Sequence, residues 1–520
     1  MKKLTALLLC LSLCLGLLGC VPEDREYVPS GGQLIMDSPD SDATSPTEAE
    51  AEQELTLTIY SDRSTNPFTC SDYTNRTLFS LIYQGLFAVN RDYEAEPILC
   101  SRYQVSQDGK TYTFYLDEKA TFSDGSRVTP EDVIASLYAA KGSDFYGGRF
   151  THIEGFWADG AAIFVTVSTL MENLPILLDI PIVKADQVNS EAPLGSGPYT
   201  LHSTITSAYL RRVGSWWCEA DANLVVTADS IPLVPAQTPA QIRDEFEFYD
   251  LNLVCANPCS DLYADFRCDY ELWDCENGEM VFLACNVAYR DFFQTSTLRS
   301  LLTYGIDRNT IAEKYYQGFA RAVTLPASTY FPWYSSGLAA KYEYDPEKFT
   351  EALENITLPS RDLVLLVNGD DTLRLQAARE IANQLTALGL PTTVNVQDHQ
   401  SFLDHIYAGN YDMYLGCTRL SANMDLSAFY QSGGSLSYNG IASNSLYQLC
   451  LDALENRGNY YNLHQEVAED GRIVPLLFCG YAVYATRGVL SDLEPARDNV
   501  FHYTLGRTME DVLVTIDYSS

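Results

Sequence analysis

Six histidines, His152, His202, His399, His405, His464 and His502, are the side chains most ready for acid–base work or metal ligation near neutral pH. They are scattered along the chain. Asp398-His399 and His405 could be written as a metal cluster, but residues six apart do not share a helix face. Carboxylates are plentiful, 69 Asp and Glu against 33 Lys and Arg, and any of them could move a proton. The pair Asp370-Asp371 sits at a helix start, where capping accounts for it. The sequence has no G-x-S-x-G elbow, no H-E-x-x-H, no Walker segment and no G-x-G-x-x-G turn. These residues point away from an enzyme and imply neither a metal nor a cofactor.

Thiol chemistry has two candidate places. Lys2, Lys3 and the apolar run Leu4–Leu18 lead into Leu17-Leu18-Gly19-Cys20. The run is short for a spanning helix and fits the apolar core of a secretory signal. Its end resembles a bacterial lipobox, in which small Gly19 suits the peptidase cleft and Cys20 is the nucleophile for lipid transfer. That resemblance implies a lipoprotein signal peptide over 1–19. The mature chain would then be lipid-anchored through Cys20 to the outer face of the cytoplasmic membrane, on the extracellular or periplasmic side. An ordinary secretory signal is the alternative. Further on, Cys255, Cys259, Cys268, Cys275 and Cys285 cluster without the paired C-x2-C knuckles of zinc sites. In an exported chain disulfides and free structural thiols both stay open, and the odd count of 11 mature cysteines besides Cys20 leaves at least one unpaired within the chain.

Residues 21–54 hold ten acidic side chains and one basic one, Arg25. Such a stretch cannot bury enough apolar surface to offset its ordering entropy, so 20–54 reads as a lipidated cysteine followed by a disordered acidic tether. The folded part, from about Leu55, is long enough for two or three lobes. The net charge is −36 and becomes −38 without Lys2 and Lys3. So acidic a chain excludes nucleic acid as a partner and leaves membrane attachment to the lipid.

Elements that would position a site follow from periodicity and turn chemistry. Leu55–Tyr60 alternates as a strand, and Thr77–Phe87 reads as a helix ended at Gly85. Asp108-Gly109 turns a hairpin from Arg102–Val105 into Lys110–Leu116. Thr129-Pro130-Glu131-Asp132 starts a helix with an N-cap, a proline at the first turn and acids on the positive end of the dipole. Ala161–Ser168 is a strand, and Gly195-Ser196-Gly197-Pro198 turns into another at Tyr199. Leu298–Tyr304 and Asn309–Tyr316 read as helices, the second capped by Asp307. Then Leu363–Val367, Leu373–Leu388, Thr392–Val396, Gln400–Ala408 and Tyr411–Gly416 alternate strand and helix, which implies a mostly parallel sheet. Ligand sites in such sheets form at the carboxyl ends of strands, here near Asn368 and Cys417.

Several of these segments together resemble the bacterial extracellular solute-binding proteins of family 5, the oligopeptide-, dipeptide- and nickel-binding lipoproteins of ABC importers. They are Phe122–Leu137 (FSDGSRVTPEDVIASL), Gly195–Leu201 (GSGPYTL), Leu298–Gly318, Asn383–Val396, Tyr411–Gly416 and Arg472–Leu490. The resemblance implies an α/β, periplasmic-binding-protein-like fold (type II, cluster C): two large lobes with a hinge plus a smaller inserted lobe. Lobe I would comprise 55–69, 188–285 and 489–520, inserted lobe II 70–187, and lobe III 286–488. It further implies capture of a peptide or peptide-like solute between closing lobes, and delivery to the permease subunits of an ABC transporter. A monomer is expected. The alternative is a same-fold sensor or scaffold, or a binder of a non-peptide ligand such as a sugar or metal chelate.

In peptide-binding relatives an aspartate in the loop after a lobe III strand pairs with the peptide amino terminus. Here that loop is Gly416–Asp425, Ser421 stands at the aspartate's place and Asp425 near a second acidic one. Arg419 could meet a ligand carboxylate or belong to an internal ion pair. The candidate ligand contacts are Arg419, Ser421, Asn423, Asp425, Tyr199, Trp216, Asn286, Trp333 and His399, with core packing the competing role for the aromatic ones.

Overall fold

The computed structural model describes residues 54–204, 207–258 and 266–514. The signal segment, Cys20, the tether up to residue 53 and Cys259 lie outside the described residues. No described helix is long and apolar enough to cross a membrane.

Strand β1 (Leu57–Tyr60) is buried along its whole length. Its following loop is tied down by Asn75, whose amide oxygen accepts from Tyr60 N at 2.8 Å and whose Nδ2 donates to Tyr60 O at 3.0 Å. Asn75 belongs to the short helix Tyr73–Thr77, capped by Asp72. The helix expected over Thr77–Phe87 is helical only at Phe79–Ile82, just after the short helix Tyr73–Thr77, and is extended from Tyr83, where Gln84 bridges Ile182. The chain then enters β2 (Phe87–Val89), which pairs with β3 (Ala95–Pro97). A four-stranded antiparallel sheet follows, from β4 (Cys100–Val105), β5 (Thr111–Leu116), β6 (Ile153–Asp159) and β7 (Ala162–Val167), in the order β4-β5-β7-β6. The β4–β5 turn uses Gly109 at φ +69°, which glycine adopts without strain.

The expected capped helix spans Pro130–Lys141, and its start is a reciprocal capping box. Thr129 N donates to Asp132 Oδ2 at 2.8 Å, and Asp132 N to Thr129 Oγ1 at 3.4 Å. The other Asp132 oxygen accepts from Ala185 N at 2.8 Å, so the cap also docks the helix. The Gly195–Pro198 turn is tight because the chain runs against Ile82. A Cβ on Gly195 would lie 2.1 Å from the Ile82 carbonyl oxygen. Strands β8 (Tyr199–Ser203), β9 (Ala208–Arg212) and β10 (Ser230–Ala236) join β1 in the order β1-β10-β9-β8, with β1 parallel to β10.

The largest sheet has seven strands. They are β11 (Leu253–Ala256), β12 (Tyr270–Cys285), β13 (Ala320–Ala322), β14 (Leu363–Asn368), β15 (Thr392–Gln397), β16 (Met413–Arg419) and β17 (Ile473–Thr486). Their order is β11-β17-β12-β16-β14-β15, with β13 added on β17. Strand β14 is parallel to both β15 and β16, as the strand–helix alternation of 363–417 implies. Helices Thr372–Ala387 and His399–Ala408 make the crossovers. Strands β12 and β17, 16 and 14 residues long, carry the sheet from β11 at one end to β16 at the other. Strand β12 is not evident from alternation, because its far half, Met280–Cys285, is buried on both faces.

The β12–β17 ladder breaks in the middle. Glu276 pairs with Gly480, and pairing resumes at Met280 with Phe478. Asn277, Gly278 and Glu279 therefore face the single residue Cys479, a bulge that re-aims their side chains. Gly278 sits at φ +78°, and a Cβ there would lie 2.6 Å from Arg497 Cζ.

Of the two readings open for the cysteines, the structure shows thiols at Cys70, Cys100, Cys218, Cys255, Cys268, Cys275, Cys285, Cys417 and Cys450. Among the described residues no group of three or more His, Cys, Asp or Glu could hold a metal ion.

Candidate functional site

A cavity of about 390 Å³ opens where the ends of the first and the largest sheets meet around the bulge. Tyr60 enters it from the end of β1, Arg63 from the loop that follows, and Asp72, Tyr73 and Thr74 from the start of helix Tyr73–Thr77. Strands β11, β12, β16 and β17 contribute Cys255 to Ala256, Asn277, Glu279, Val281, Cys417 and Cys479 to Tyr481. Tyr316 and Phe319 close one side, and Asp371, Leu373 and Arg374 another. A depression of about 460 Å³ around Asp307–Thr310 and Tyr344 draws on no residue of the first sheet. A cavity beside Arg76, Asp179 and Asp498 holds only about 80 Å³. The 390 Å³ cavity alone among these three gathers both sheets and several chain crossings.

Its walls are aromatic. Tyr73 packs at a tilt on Tyr481, ring centroids 5.4 Å apart, and Arg63 lies over the Tyr60 ring at 3.8 Å. Such surfaces suit amphipathic solutes, which gain apolar contact and keep polar edges satisfied. Burial pushes the Cys417 thiol up to about 12, so it is a weakly polar wall group rather than a nucleophile.

The charges are mostly paired. Arg63 is ion-paired with Asp72, which also caps its helix. Asp371 caps the helix Thr372–Ala387, accepting from Arg374 N at 2.8 Å, and its other oxygen takes Arg374 Nε at 2.8 Å. Both carboxylates thus lie at helix N-termini, where the dipole favours them. Glu279, on the bulge, has no ion pair or side-chain hydrogen bond among the described residues; its backbone N donates to Asn277 Oδ1 at 2.9 Å.

None of the nine sequence-derived ligand contacts is among the residues lining this cavity. Arg419 is hydrogen-bonded to a residue that does line it. It is ion-paired with Asp498, donates from Nε to Asn277 O at 2.9 Å and covers the Phe145 ring. Burial raises the Asp498 carboxyl, but Arg419, Arg497 and Arg149 outweigh burial and hold it well below the usual carboxylate range. Ser421 Oγ is 2.7 Å from Asn423 Oδ1, Asn423 is buried, and Asp425 stands 3.0 Å from His152 Nε2. Tyr199 is buried and donates to Ala228 O at 2.7 Å, and Trp216 Nε1 donates to Ser196 O at 2.8 Å. Asn286 spans Gly409 O and Tyr411 O at 3.0 Å each. Trp333 lies under Arg457, 4.2 Å from guanidinium to ring. His399 opens helix His399–Ala408 and donates from N to Asp370 Oδ2 at 2.9 Å.

The strand-end rule finds more of the cavity than the loop did. Cys417 lines it, as do Asp371, Leu373 and Arg374, just beyond Asn368. Glu279 and Asn277 carry a weaker signal, the Asn277-Gly278 dipeptide inside an otherwise strand-like run.

Comparison with known proteins agrees with this fold. The profile of the bacterial extracellular solute-binding proteins, family 5 Middle, matches residues 94–439. The glutathione-binding protein GsiB of Salmonella paratyphi A is 23% identical over 381 residues, 67% of this chain and 70% of that protein. The ABC transporter substrate binding protein CtaP of Listeria monocytogenes superposes with a TM-score of 0.70 at 17% identity, covering 86% of this chain and 97% of that one. NikA from Brucella suis, solved in complex with Fe(III)-EDTA, superposes with a TM-score of 0.66 at 17% identity, covering 86% and 98%. The α/β architecture is thus the type II periplasmic-binding-protein-like fold, and the chain belongs to the bacterial extracellular solute-binding proteins of family 5.

Proposed function

We propose that this chain captures peptides or peptide-like solutes outside the cell, between two closing lobes, and hands them unaltered to the permease of an ABC importer. The observation that carries the reading is the 390 Å³ cavity, walled by tyrosines and a phenylalanine and set with paired and unpaired charges. Closure around a solute there would exclude water and strengthen each polar contact. A solute shifts the open–closed balance only by its preference for the closed form, so selectivity and signalling to the permease share one free energy. The glutathione-binding relative supports a small peptide-like guest.

Lipid attachment through Cys20 and the acidic tether of 20–54 would keep the lobes near the permease, with 55–69, 188–285 and 489–520, then 70–187, then 286–488 as the lobes. The working form is a monomer, and no catalytic step is part of the reading. Arg419, Ser421, Asn423 and Asp425 would frame the cleft rather than touch the solute.

Isothermal titration calorimetry with pools of di- to pentapeptides tests this, together with mass spectrometry of small molecules that co-purify. Saturable heat from a pool supports it. A silent pool with a co-purifying non-peptide solute would favour the second reading, a chelate or sugar binder. The absence of an acid at Ser421 and the likeness to a chelate-bound NikA speak for that second reading.

A further inference from the structure

We infer that Glu279 is the group that recognises a positively charged end of the solute, in the first place a free amino terminus. The inference rests on the peptide reading above. Among the described residues, four other charged side chains line the cavity, and they form two pairs, Arg63 with Asp72 and Arg374 with Asp371. Glu279 is left over. Its Cα partner across the sheet is Arg419, the nearest cation in register. Arg419, however, gives its guanidinium to Asp498 and to the Asn277 carbonyl. Opposite, on β17, the bulge leaves only Cys479.

The bulge is what makes the placement. Gly278 in the left-handed region packs against Arg497, and the turn it allows presents Asn277 and Glu279 on the cavity side. A carboxylate that loses water when a cleft closes is destabilised unless a cation replaces that water. An ammonium does so with a charge-assisted hydrogen bond. Ser421 cannot, because it is uncharged and its hydroxyl is engaged with Asn423. Glu279 therefore supplies, from a strand, the negative charge that Ser421 lacks.

The experiment compares the unchanged protein with Glu279→Gln, an isosteric change whose folding is checked by its melting curve. Probes are a pool of tri- and tetrapeptides with free amino termini, the same pool N-acetylated, and the simple amines ornithine and cadaverine. The expected result is binding of free-amine peptides, weakened roughly 30-fold by acetylation, with Glu279→Gln lowering the free-amine affinity to the acetylated level. Equal binding of free and acetylated peptides, or undiminished binding by Glu279→Gln, overturns the assignment. If the unchanged protein binds no peptide, the peptide reading fails separately. Amine binding that is lost in Glu279→Gln then upholds the role of Glu279, and no amine binding overturns it.

Discussion

Arg419 and Asp498, 79 residues apart in sequence, form an ion pair behind the cleft, and Asp498 also holds Arg149 at 2.9 Å. The pair joins the end of β16 to the C-terminal segment. Removing one partner of such a pair leaves the other charge undercompensated. Arg419→Ala is expected to lower stability by about 3 kcal/mol in urea unfolding. A loss below about 1 kcal/mol would show the pair to be dispensable to the frame.

Gly278→Ala tests the bulge. The positive φ costs an alanine about 1–2 kcal/mol, and the new methyl would meet Arg497. A total loss of about 3 kcal/mol is expected, with solute affinity falling alongside it. Unchanged melting would mean that the strand can straighten there.

Glu276 sets a pH dependence. Burial is the main cause that raises its carboxyl to about 7, against partial relief from Ser328 and Arg321. Its folded pKa thus lies above the unfolded one, and the native state keeps a proton the unfolded chain has lost. Stability from this group is full below about pH 4.5 and falls as pH rises to about 7, by on the order of 3 kcal/mol. Glu276→Gln should remove that downward slope in denaturation measured across pH 4–8.

His464 acts in the opposite direction. Both its ring nitrogens are buried without hydrogen bonds among the described residues, and burial pushes its pKa down to about 3. Below about pH 6.5 the unfolded chain takes up a proton that the native ring refuses. Stability is therefore lost as pH drops from 6.5 towards 3, on the order of 5 kcal/mol. His464→Leu should flatten this acid limb; an unaltered limb would assign acid unfolding to other groups.

Three thiols should be inert, Cys275 and Cys285 in the core and Cys417 half-buried on the cavity wall. Burial raises Cys275, Cys285 and Cys417 to about 12, which leaves little thiolate at neutral pH. Iodoacetamide at pH 7.5 is expected to leave these three unmodified in the native protein and to alkylate all of them in urea, read by peptide mass mapping. Rapid native labelling of Cys417 would reveal an opening of the cleft.

Local chemistry was written in the sequence. Thr129 and Asp132 form their capping box because four consecutive residues contain everything it needs. The 363–419 alternation yields a parallel sheet because strand and helix periods differ and the crossovers are short. The family resemblance rests on segments of this kind. Tertiary structure decided the rest. Arg419 is ion-paired with Asp498, and no spacing rule links residues 79 apart. Helix expectation failed beyond Ile82, where Tyr83 is extended and Gln84 pairs with the distant Ile182. Which carboxylate stays unpaired in the cavity depends on a three-against-one bulge between strands joined only by the fold. Sequence fixes short-range hydrogen bonding and periodicity, whereas long-range charge pairing such as Arg419 with Asp498 is set by distances that exist only after the chain has packed.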